Sequence, residues 1–272
     1  MKLETSKPSK VPPIIVIGGG AGAGKSTLAA MFPAPVWIQA EEATGTFDTW
    51  PEELQPDMLP LLPNADKGKA ISTYKTIKAQ IELIRTSEHV FETCVVDSAS
   101  VLNKMLEEEL CDKEDKDDIA ACAGGFHRGF NVVARMHGEI IRQLKRLRSE
   151  RGMAIVFTSH VTDRKIRNKP DAEEHTIWDL DMGAASAQMY LDLCDAVCFL
   201  RIEEFIRGRE TNNKGQVTKL GKSVSTGKRV LVTTSEGNQG FAKAKNRFNF
   251  PPKIEIPTGT NPLLELIPYY AG

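Results

Sequence analysis

The sequence predicts an α/β fold in which helices cover both faces of a mainly parallel, twisted sheet. Short β-branched runs alternate along the chain with segments of helical periodicity, and parallel strands require such helical crossovers. Two late strand-like runs flank the turn-forming residues 235–238, which indicates an antiparallel hairpin near the carboxyl end. We expect one domain at residues 14–256, between a flexible arm, residues 1–13, and a tail, residues 257–272.

The predicted elements follow the chain in an alternating strand and helix order. The predicted strands are residues 14–17, 36–39, 91–96, 153–158, 196–202, 229–234 and 240–248. The predicted helices are residues 25–31, 71–85, 101–111, 131–149 and 184–193. Polar or aperiodic stretches at 43–70, 112–127, 163–181 and 203–228 are predicted to be mostly loops.

Composition excludes several classes of protein. The 272 residues are 41% hydrophobic and 26% charged, a globular composition that can bury a large core. No run approaches the roughly 20 apolar residues that span a bilayer, and residues 1–10 are polar, so we expect no membrane partner and a cytoplasmic location. A net charge of −1 provides no global attraction to nucleic acid, and the five scattered cysteines predict reduced thiols.

A glycine-rich run carries the strongest chemical signal. Residues 19–26, GGAGAGKS, match the P-loop pattern GxxxxGK[ST] between a predicted strand and a predicted helix. Backbone N–H groups of such a loop cradle phosphates, and glycine permits their close approach. Lys25 would neutralise the β- and γ-phosphates and Ser26 would ligate Mg²⁺, which predicts ATP and Mg²⁺ as ligands. The predicted nucleotide-binding residues here are Gly19, Gly20, Ala21, Gly22, Ala23, Gly24, Lys25, Ser26 and Thr27.

Carboxylates follow two other predicted strands. Asp97 ends the apolar run 94–96, where a second magnesium ligand must lie beside the P-loop. Glu41 and Glu42 come directly after another strand and can reach an attacking water as general base. We prefer Glu41 for that role, so the sequence predicts ATP hydrolysis with Lys25 and Glu41 as catalytic residues.

In this order the motifs resemble the RecA-type recombinase core rather than the AAA+ or GTPase branches of the P-loop NTPases. The runs that carry the resemblance are Trp37–Glu41, which ends in AE, and Val95–Ser98, which reads VVDS before a helix. The resemblance implies that Ser159 and His160, after the fourth predicted strand, are polar sensors beside the γ-phosphate. It also implies that this core carries two DNA-binding loops.

A late basic run extends the resemblance to a subunit interface. RecA-type proteins have a KNK-like run that reaches a neighbour's ATP, and residues 243–247, KAKNR, stand at the matching place. The resemblance implies that Lys243, Lys245 or Arg247 acts in trans on the transferred phosphoryl group, in a homo-oligomer with ATP between subunits. The alternative is a basic edge strand that resists aggregation.

The two DNA-binding loops implied by the resemblance are residues 112–127 and 163–182. The predicted DNA contacts are Arg164, Lys165, Arg167, Lys169 and Arg128, with Trp178 as a platform on which a base could stack. Residues 112–118 are mainly acidic and oppose a phosphate backbone. The basic stretch 207–229 could contact phosphates or could be a solvated insertion.

The resemblance covers residues 14–250, and the arm before it is too short for a polymerisation domain. This trimmed form resembles short phage-encoded RecA-like ATPases that support single-strand annealing and recombination. The implied partners are single-stranded DNA and a single-stranded-DNA-binding protein, in the host cytoplasm. One alternative is a KaiC-like or helicase-loader ATPase that acts on a protein. Another is a nucleotide-gated binding module without useful turnover.

Overall fold

The computed structural model describes residues 10–42, 44–166, 175–208, 210–211, 217–235 and 242–271. Its strands are β1 (Ile14–Gly19), β2 (Pro35–Gln39), β3 (Asp57–Met58), β4 (Thr93–Asp97), β5 (Ala154–Ser159), β6 (Val161–Ile166), β7 (His175–Leu180), β8 (Ala196–Arg207), β9 (Glu210–Thr211), β10 (Val217–Lys219), β11 (Lys222–Val232), β12 (Lys245–Asn246) and β13 (Lys253–Glu255). Its helices are α1 (Lys25–Ala30), α2 (Thr44–Phe47), α3 (Thr73–Thr86), α4 (Ala99–Glu114), α5 (Arg128–Arg151), α6 (Ala184–Leu193) and α7 (Leu263–Leu266). None of the helices formed by these residues has the length and apolar character needed to cross a bilayer.

The main sheet orders its strands β13-β11-β8-β1-β5-β4-β2-β3, and β12 pairs with β8 beside this path. The six strands from β8 to β3 run parallel to their neighbours. The strands β11, β12 and β13 are antiparallel to theirs. The sheet confirms the predicted α/β class, since the parallel strands are linked by helical crossovers.

The core lies on both faces of this sheet because successive side chains of a strand point to opposite faces. In β1, Ile14 and Val16 belong to the cluster that packs under α3, α4, α5 and α6. Ile15 and Ile17 belong to the cluster that packs under α1, α2 and α7. All four side chains are fully buried. A strand buried on both faces explains why this part of the sequence is a continuous apolar run.

The antiparallel hairpin is not the one that the sequence predicted. Residues 229–234 and 240–248 were expected to pair across the turn at 235–238, of which 236–238 lie outside the described residues. Instead β11 pairs with β8 from Lys222↔Arg207 to Val232↔Phe199, and β12 pairs with β8 at Val197 and Ala196. The two late segments therefore lie end to end along one partner strand. Turn chemistry indicated a change of direction but contained no information about which strand each segment would join.

Two of the predicted loops are largely strand. β6 and β7 form a separate antiparallel hairpin from Val161↔Leu180 to Ile166↔His175, in the stretch expected to be a loop. β8 continues to Arg207 and pairs with β11, in the stretch expected to be a polar insertion. Both ribbons carry polar side chains on both faces, so they lack the apolar alternation by which a strand is recognised in sequence.

The carboxyl-terminal segment packs on its own domain. Leu263 and Ile267 are fully buried in the cluster on the α1 face of the sheet. The ring of Tyr270 meets Phe32 edge to face, with 6.2 Å between ring centroids. Leu263 and Ile267 of the predicted tail thus help to cover the second face of the sheet.

Candidate active site

The glycine-rich loop connects β1 to α1 at the carboxyl edge of the parallel strands. Gly22 and Gly24 have φ angles of 72° and 96°, in the left-handed region that favours glycine. Gly24 is also the residue that caps the amino end of α1. Backbone N–H groups at this end of a helix have no intrahelical partner, so they are available to an anion.

The glycines of this loop serve two different purposes. A Cβ at Gly19 would lie 2.6 Å from the carbonyl oxygen of Leu200, whereas one at Gly20 would meet no atom within 4 Å. Gly19 is therefore required by the close packing of β1 against β8. The space above Gly20 and Gly22 is open, which is the space that a polyphosphate chain needs.

Lys25 lies beneath this open space and is 7% exposed. Its Nζ donates to the carbonyl oxygen of Gly20 at 3.0 Å. Burial lowers the pKa of Lys25, while the negative charges of Asp97 and Glu41 oppose that shift. A buried ammonium with one neutral acceptor is poorly compensated, so a phosphate oxygen would be a better partner than the Gly20 carbonyl.

Asp97 ends β4 and is buried among hydrogen-bond donors. Its Oδ2 accepts from Ser26 Oγ at 2.9 Å and from Trp37 Nε1 at 3.3 Å. Its Oδ1 accepts from the hydroxyl of Thr158. Burial raises the pKa of Asp97, and the hydrogen bonds from Thr158 and Ser26 oppose that rise. The donors orient a carboxylate that the protein interior makes costly to ionise.

The pair of Ser26 and Asp97 fits a magnesium ion. Both side chains present oxygen ligands, and they already lie within hydrogen-bond distance of each other. Mg²⁺ is usually bound through one or two protein oxygens together with waters and phosphate oxygens. That Ser26 and Asp97 hold Mg²⁺ beside a phosphate chain stays a prediction, and this pair of oxygen ligands fits it.

Glu41 follows β2 and faces His160 across the carboxyl edge of the sheet. Its Oε1 lies 3.5 Å from His160 Nε2, and the two side chains are 35% and 33% exposed. The backbone N–H groups of Ala40 and Glu41 both donate to the carbonyl oxygen of Asp97, which holds this turn against β4. Glu42 is exposed. Of the two glutamates, Glu41 is thus the one that lies within the cluster.

Only one of the two predicted sensor residues reaches this edge with its side chain. Ser159 is fully buried, and its hydroxyl donates to the carbonyl oxygen of His160 at 2.9 Å. The backbone N–H of His160 donates to Ser100 Oγ at 2.9 Å. Ser159 therefore shapes the end of β5, whereas the imidazole of His160 is presented to the site.

The sheet order explains why residues so far apart in sequence meet. The strands β1, β5, β4 and β2 are parallel neighbours, so the residues that follow them share one edge. A phosphate cradle, a buried lysine, a hydroxyl–carboxylate pair and a second carboxylate converge there. A model of the AAA domain family matches residues 12–248. The chain belongs to the AAA domain family. Comparison with curated protein sequences gave no match.

Membership of the AAA domain family supports nucleotide binding and ATPase activity. The match does not extend to the finer resemblance, to the RecA-type recombinase core, so that resemblance stays a prediction. DNA binding, recombination and a phage origin therefore stay predictions.

The basic residues predicted to act in trans have partners within this AAA domain. Lys243 Nζ donates to Gln188 Oε1 at 3.1 Å, and Lys245 Nζ donates to the carbonyl oxygen of Leu191. Arg247 Nη1 lies 3.5 Å from Asp195 Oδ1. These contacts place the three cations near the carboxyl end of α6. β12 pairs with Ala196 and Val197 of β8, whereas Gly19 adjoins Leu200 of the same strand.

The predicted DNA contacts lie in different environments. Arg164 Nε pairs with the buried Asp179 at 2.7 Å, so its charge is already compensated within the β6–β7 hairpin. Lys165 is exposed on the same hairpin. Arg128 is exposed at the start of α5, with its guanidinium 5.8 Å from the ring of Phe126. Arg167 and Lys169 lie outside the described residues.

Three residues that contact the predicted site of the AAA domain were not predicted from the sequence motifs. Trp37 and Thr158 donate to Asp97. Arg229 lies against the P-loop, because a Cβ on Gly24 would be 3.3 Å from its Nε. Thr158 directly precedes the predicted sensor residues Ser159 and His160. Its position in the sequence could therefore have identified it. The other two come from distant strands and have no local signature.

Proposed function

We propose that this AAA domain binds ATP with Mg²⁺ and hydrolyses it in response to single-stranded DNA, as part of recombination or single-strand annealing. The proposal that the domain binds and hydrolyses ATP rests on one observation. Four side chains converge at one edge of the sheet: Lys25, Ser26, Asp97 and Glu41. These groups supply the charges and oxygen ligands that phosphoryl transfer to water requires.

Each residue has a specific role in the proposed reaction. The P-loop amides hold the phosphate chain, and Lys25 exchanges the Gly20 carbonyl for a phosphate oxygen. Ser26 and Asp97 hold Mg²⁺, which would neutralise charge on the β- and γ-phosphates. Glu41 accepts a proton from the attacking water, and His160 positions the Glu41 carboxylate from the end of β5.

The connection to DNA rests on the β6–β7 hairpin. β6 begins at Val161, directly after His160, so a movement of His160 with nucleotide state would pass to the hairpin through one peptide bond. Lys165 is exposed on this hairpin and could contact a phosphate backbone. We infer that ATP binding orders the hairpin for DNA and that hydrolysis releases it.

The proposal includes an oligomer in which Lys243, Lys245 or Arg247 reaches a neighbour's ATP. These cations would have to exchange their present partners on α6 and Asp195 for a phosphate. A single-stranded-DNA-binding protein is the expected partner in annealing.

The steady-state ATPase rate with and without single-stranded DNA tests the proposal. We expect DNA to stimulate the rate, Lys25→Ala to abolish it, and the DNA affinity to fall steeply with salt. A non-hydrolysable ATP analogue should raise DNA affinity relative to the nucleotide-free protein. Equal DNA affinities in these two states would contradict the coupling between nucleotide and hairpin.

One observation favours a second candidate, an ATPase that acts on a protein. Of the predicted DNA contacts, Arg164 is bound to Asp179, and residues 112–118 within the first predicted DNA-binding loop are mainly acidic. An acidic surface would favour a basic protein partner. An ATPase rate that is indifferent to DNA, together with no DNA binding at low salt, would select this candidate.

A further inference from the structure

A left-handed turn directly before α5 holds an aromatic ring in solvent. Residues 123–127 all have positive φ angles, from 54° at Phe126 to 83° at Gly124. A bulky side chain rarely adopts this conformation. The backbone N–H of His127 donates to the carbonyl oxygen of Ala120 at 3.1 Å, which ties the turn to the segment before it. The Phe126 ring is 88% exposed, so the fold maintains a strained turn that projects an aromatic side chain outward.

A cavity of about 510 Å³ opens between the first turn of α3, the last turns of α4 and the second and third turns of α5. A further cavity of about 410 Å³ shares part of its lining and continues it along α5; we call the two together the α5 cavity. Pockets that bury a ligand commonly have volumes of roughly 300–1,000 Å³. The apolar lining includes Ile71, Tyr74, Leu110, Val132 and Met136. None of the residues assigned above to the nucleotide, the metal or water activation lines either part.

The exposed ring and the α5 cavity lie on one face of α5. The guanidinium of Arg128 lies 5.8 Å from the centroid of the Phe126 ring. Val132 and Met136 follow Arg128 at intervals of four residues, and residues four apart on a helix are neighbours on its surface. A protruding ring beside a cavity makes this face complementary to a second copy of itself. A two-fold axis can place each ring in the cavity of the other copy.

Charged side chains of both signs line the α5 cavity. Glu109 accepts from the backbone N–H of Tyr74 at 2.9 Å, and Glu139 pairs with Arg142 at 3.1 Å. Four other charged side chains of the lining form no ion pair with a residue that the structure describes: Lys75, Asp112, Lys113 and Arg135. The mainly acidic stretch 112–118 is exposed next to them. A two-fold contact can bring charges of opposite sign together, whereas a nucleic acid would meet these carboxylates. The charges therefore favour a second copy over a polyanion.

We propose that this face of α3, α4 and α5 is a homodimer interface in which the Phe126 ring of each copy enters the α5 cavity of the other. Such a contact is isologous, so it closes with two copies. An aromatic anchor in an apolar pocket with a charged rim is the arrangement that dominates many interfaces. The interface goes beyond the proposed function. It uses neither the P-loop nor the basic run at residues 243–247, to which that function assigns a different subunit contact.

Sedimentation velocity of the full chain over a range of concentrations, without nucleotide or DNA, tests the interface. We expect a monomer–dimer equilibrium for the wild type. Phe126→Asn should raise the dimer Kd roughly tenfold or more, as truncation of a central aromatic anchor does. Asparagine tolerates the left-handed conformation, so the turn is kept. Phe205→Asn, which removes a 49% exposed ring from β8, is the matched control and should dimerise like the wild type.

A second variant tests the cavity rather than the ring. Met136→Trp fills the α5 cavity from its wall, so it should raise the dimer Kd in the same way as Phe126→Asn. Lys25→Ala should dimerise like the wild type, because the P-loop takes no part in the interface. Thermal melts establish that each variant is folded.

Four results would overturn the inference. The first is a wild-type protein that stays monomeric at every concentration. The second is a dimer that neither Phe126→Asn nor Met136→Trp weakens, because it would use another surface. The third is a series of larger assemblies that Phe126→Asn abolishes, which would be a heterologous contact. The fourth is a monomeric wild type whose affinity for single-stranded DNA falls in Phe126→Asn, which would assign the ring to DNA. A protein that dimerises as expected but does not bind ATP would contradict the proposed function alone.

Discussion

Ser26 Oγ lies 2.9 Å from Asp97 Oδ2, and this hydrogen bond joins the first turn of α1 to the end of β4. The two residues are separated by 71 positions in the sequence. Their contact brings the phosphate cradle and the buried carboxylate to one place. We infer that catalysis depends on the Asp97 charge rather than only on its hydrogen bonds.

Asp97→Asn tests that inference, because the amide keeps the shape of the side chain and can still bond to Ser26, Trp37 and Thr158. We expect the ATPase rate to fall by about 100-fold or more, the scale on which loss of electrostatic stabilisation acts. A magnesium titration of ATP binding should show a weaker dependence on Mg²⁺ than in the wild type. A folded variant with normal turnover would exclude Asp97 from the metal site.

Glu41→Gln should separate ATP binding from hydrolysis. The amide cannot accept the proton of the attacking water, so turnover should fall by roughly 100-fold to 10,000-fold while the Kd of ATP stays near the wild-type value. Glu42→Gln is the matched control, since Glu42 is the exposed neighbour. Equal rates in the two variants would assign the base to another group.

Alanine at Gly19 and at Gly20 should affect different properties. A Cβ at Gly19 would come within 2.6 Å of the Leu200 carbonyl, so Gly19→Ala should destabilise the fold by about 1–3 kcal/mol, as overpacking does. Gly20→Ala has open space and should leave the melting temperature nearly unchanged while it weakens ATP binding. Denaturant unfolding and ATP titration measure the two effects. A stable Gly19→Ala protein would contradict the packing argument.

Arg164→Ala and Lys165→Ala should differ although both remove a cation from one hairpin. Asp179 is 1% exposed and is paired with Arg164. Removing one partner of a buried ion pair commonly costs about 3–5 kcal/mol. Arg164→Ala should therefore lower stability, and Lys165→Ala should instead reduce the salt dependence of DNA binding. Unfolding curves measure the change in stability, and salt titrations measure the change in DNA binding. Equal effects of the two substitutions in both measurements would contradict the prediction.

His137 should make the fold sensitive to acid. The imidazole is fully buried against the Tyr190 hydroxyl, and burial lowers the pKa of His137 from 6.5 to about 3. The unfolded chain therefore binds a proton that the folded protein does not, so stability falls as the pH drops below 6.5. At pH 5 the loss from this group is about 2 kcal/mol.

Unfolding free energies of His137→Gln measured at pH 7 and pH 5 test this expectation. The variant should lose less stability on acidification than the wild type. His127→Gln, at an exposed position, should follow the wild type. An identical pH response of all three proteins would contradict a neutral, buried His137.

The sequence predicted most of the parallel core because each of its signals is local. The helix predicted at 184–193 coincides with α6, and the glycine-rich turn lies where the pattern placed it. The same local reasoning identified Asp97 and Glu41 by their positions after strands. It mistook the β6–β7 hairpin and the long ends of β8 and β11 for loops, since strands solvated on both faces lack apolar alternation.

By itself, the sequence determined the P-loop, the α/β class and the residues that end each parallel strand, because backbone conformation and burial impose residue patterns along a single segment. Tertiary structure alone decided that β11 and β12 share β8 as a partner and that the carboxyl-terminal segment covers the α1 face. It also decided that Trp37 reaches Asp97 and that Arg229 lies against Gly24. Contacts of this kind depend on the register between strands that are distant in the chain, and no local pattern encodes that register.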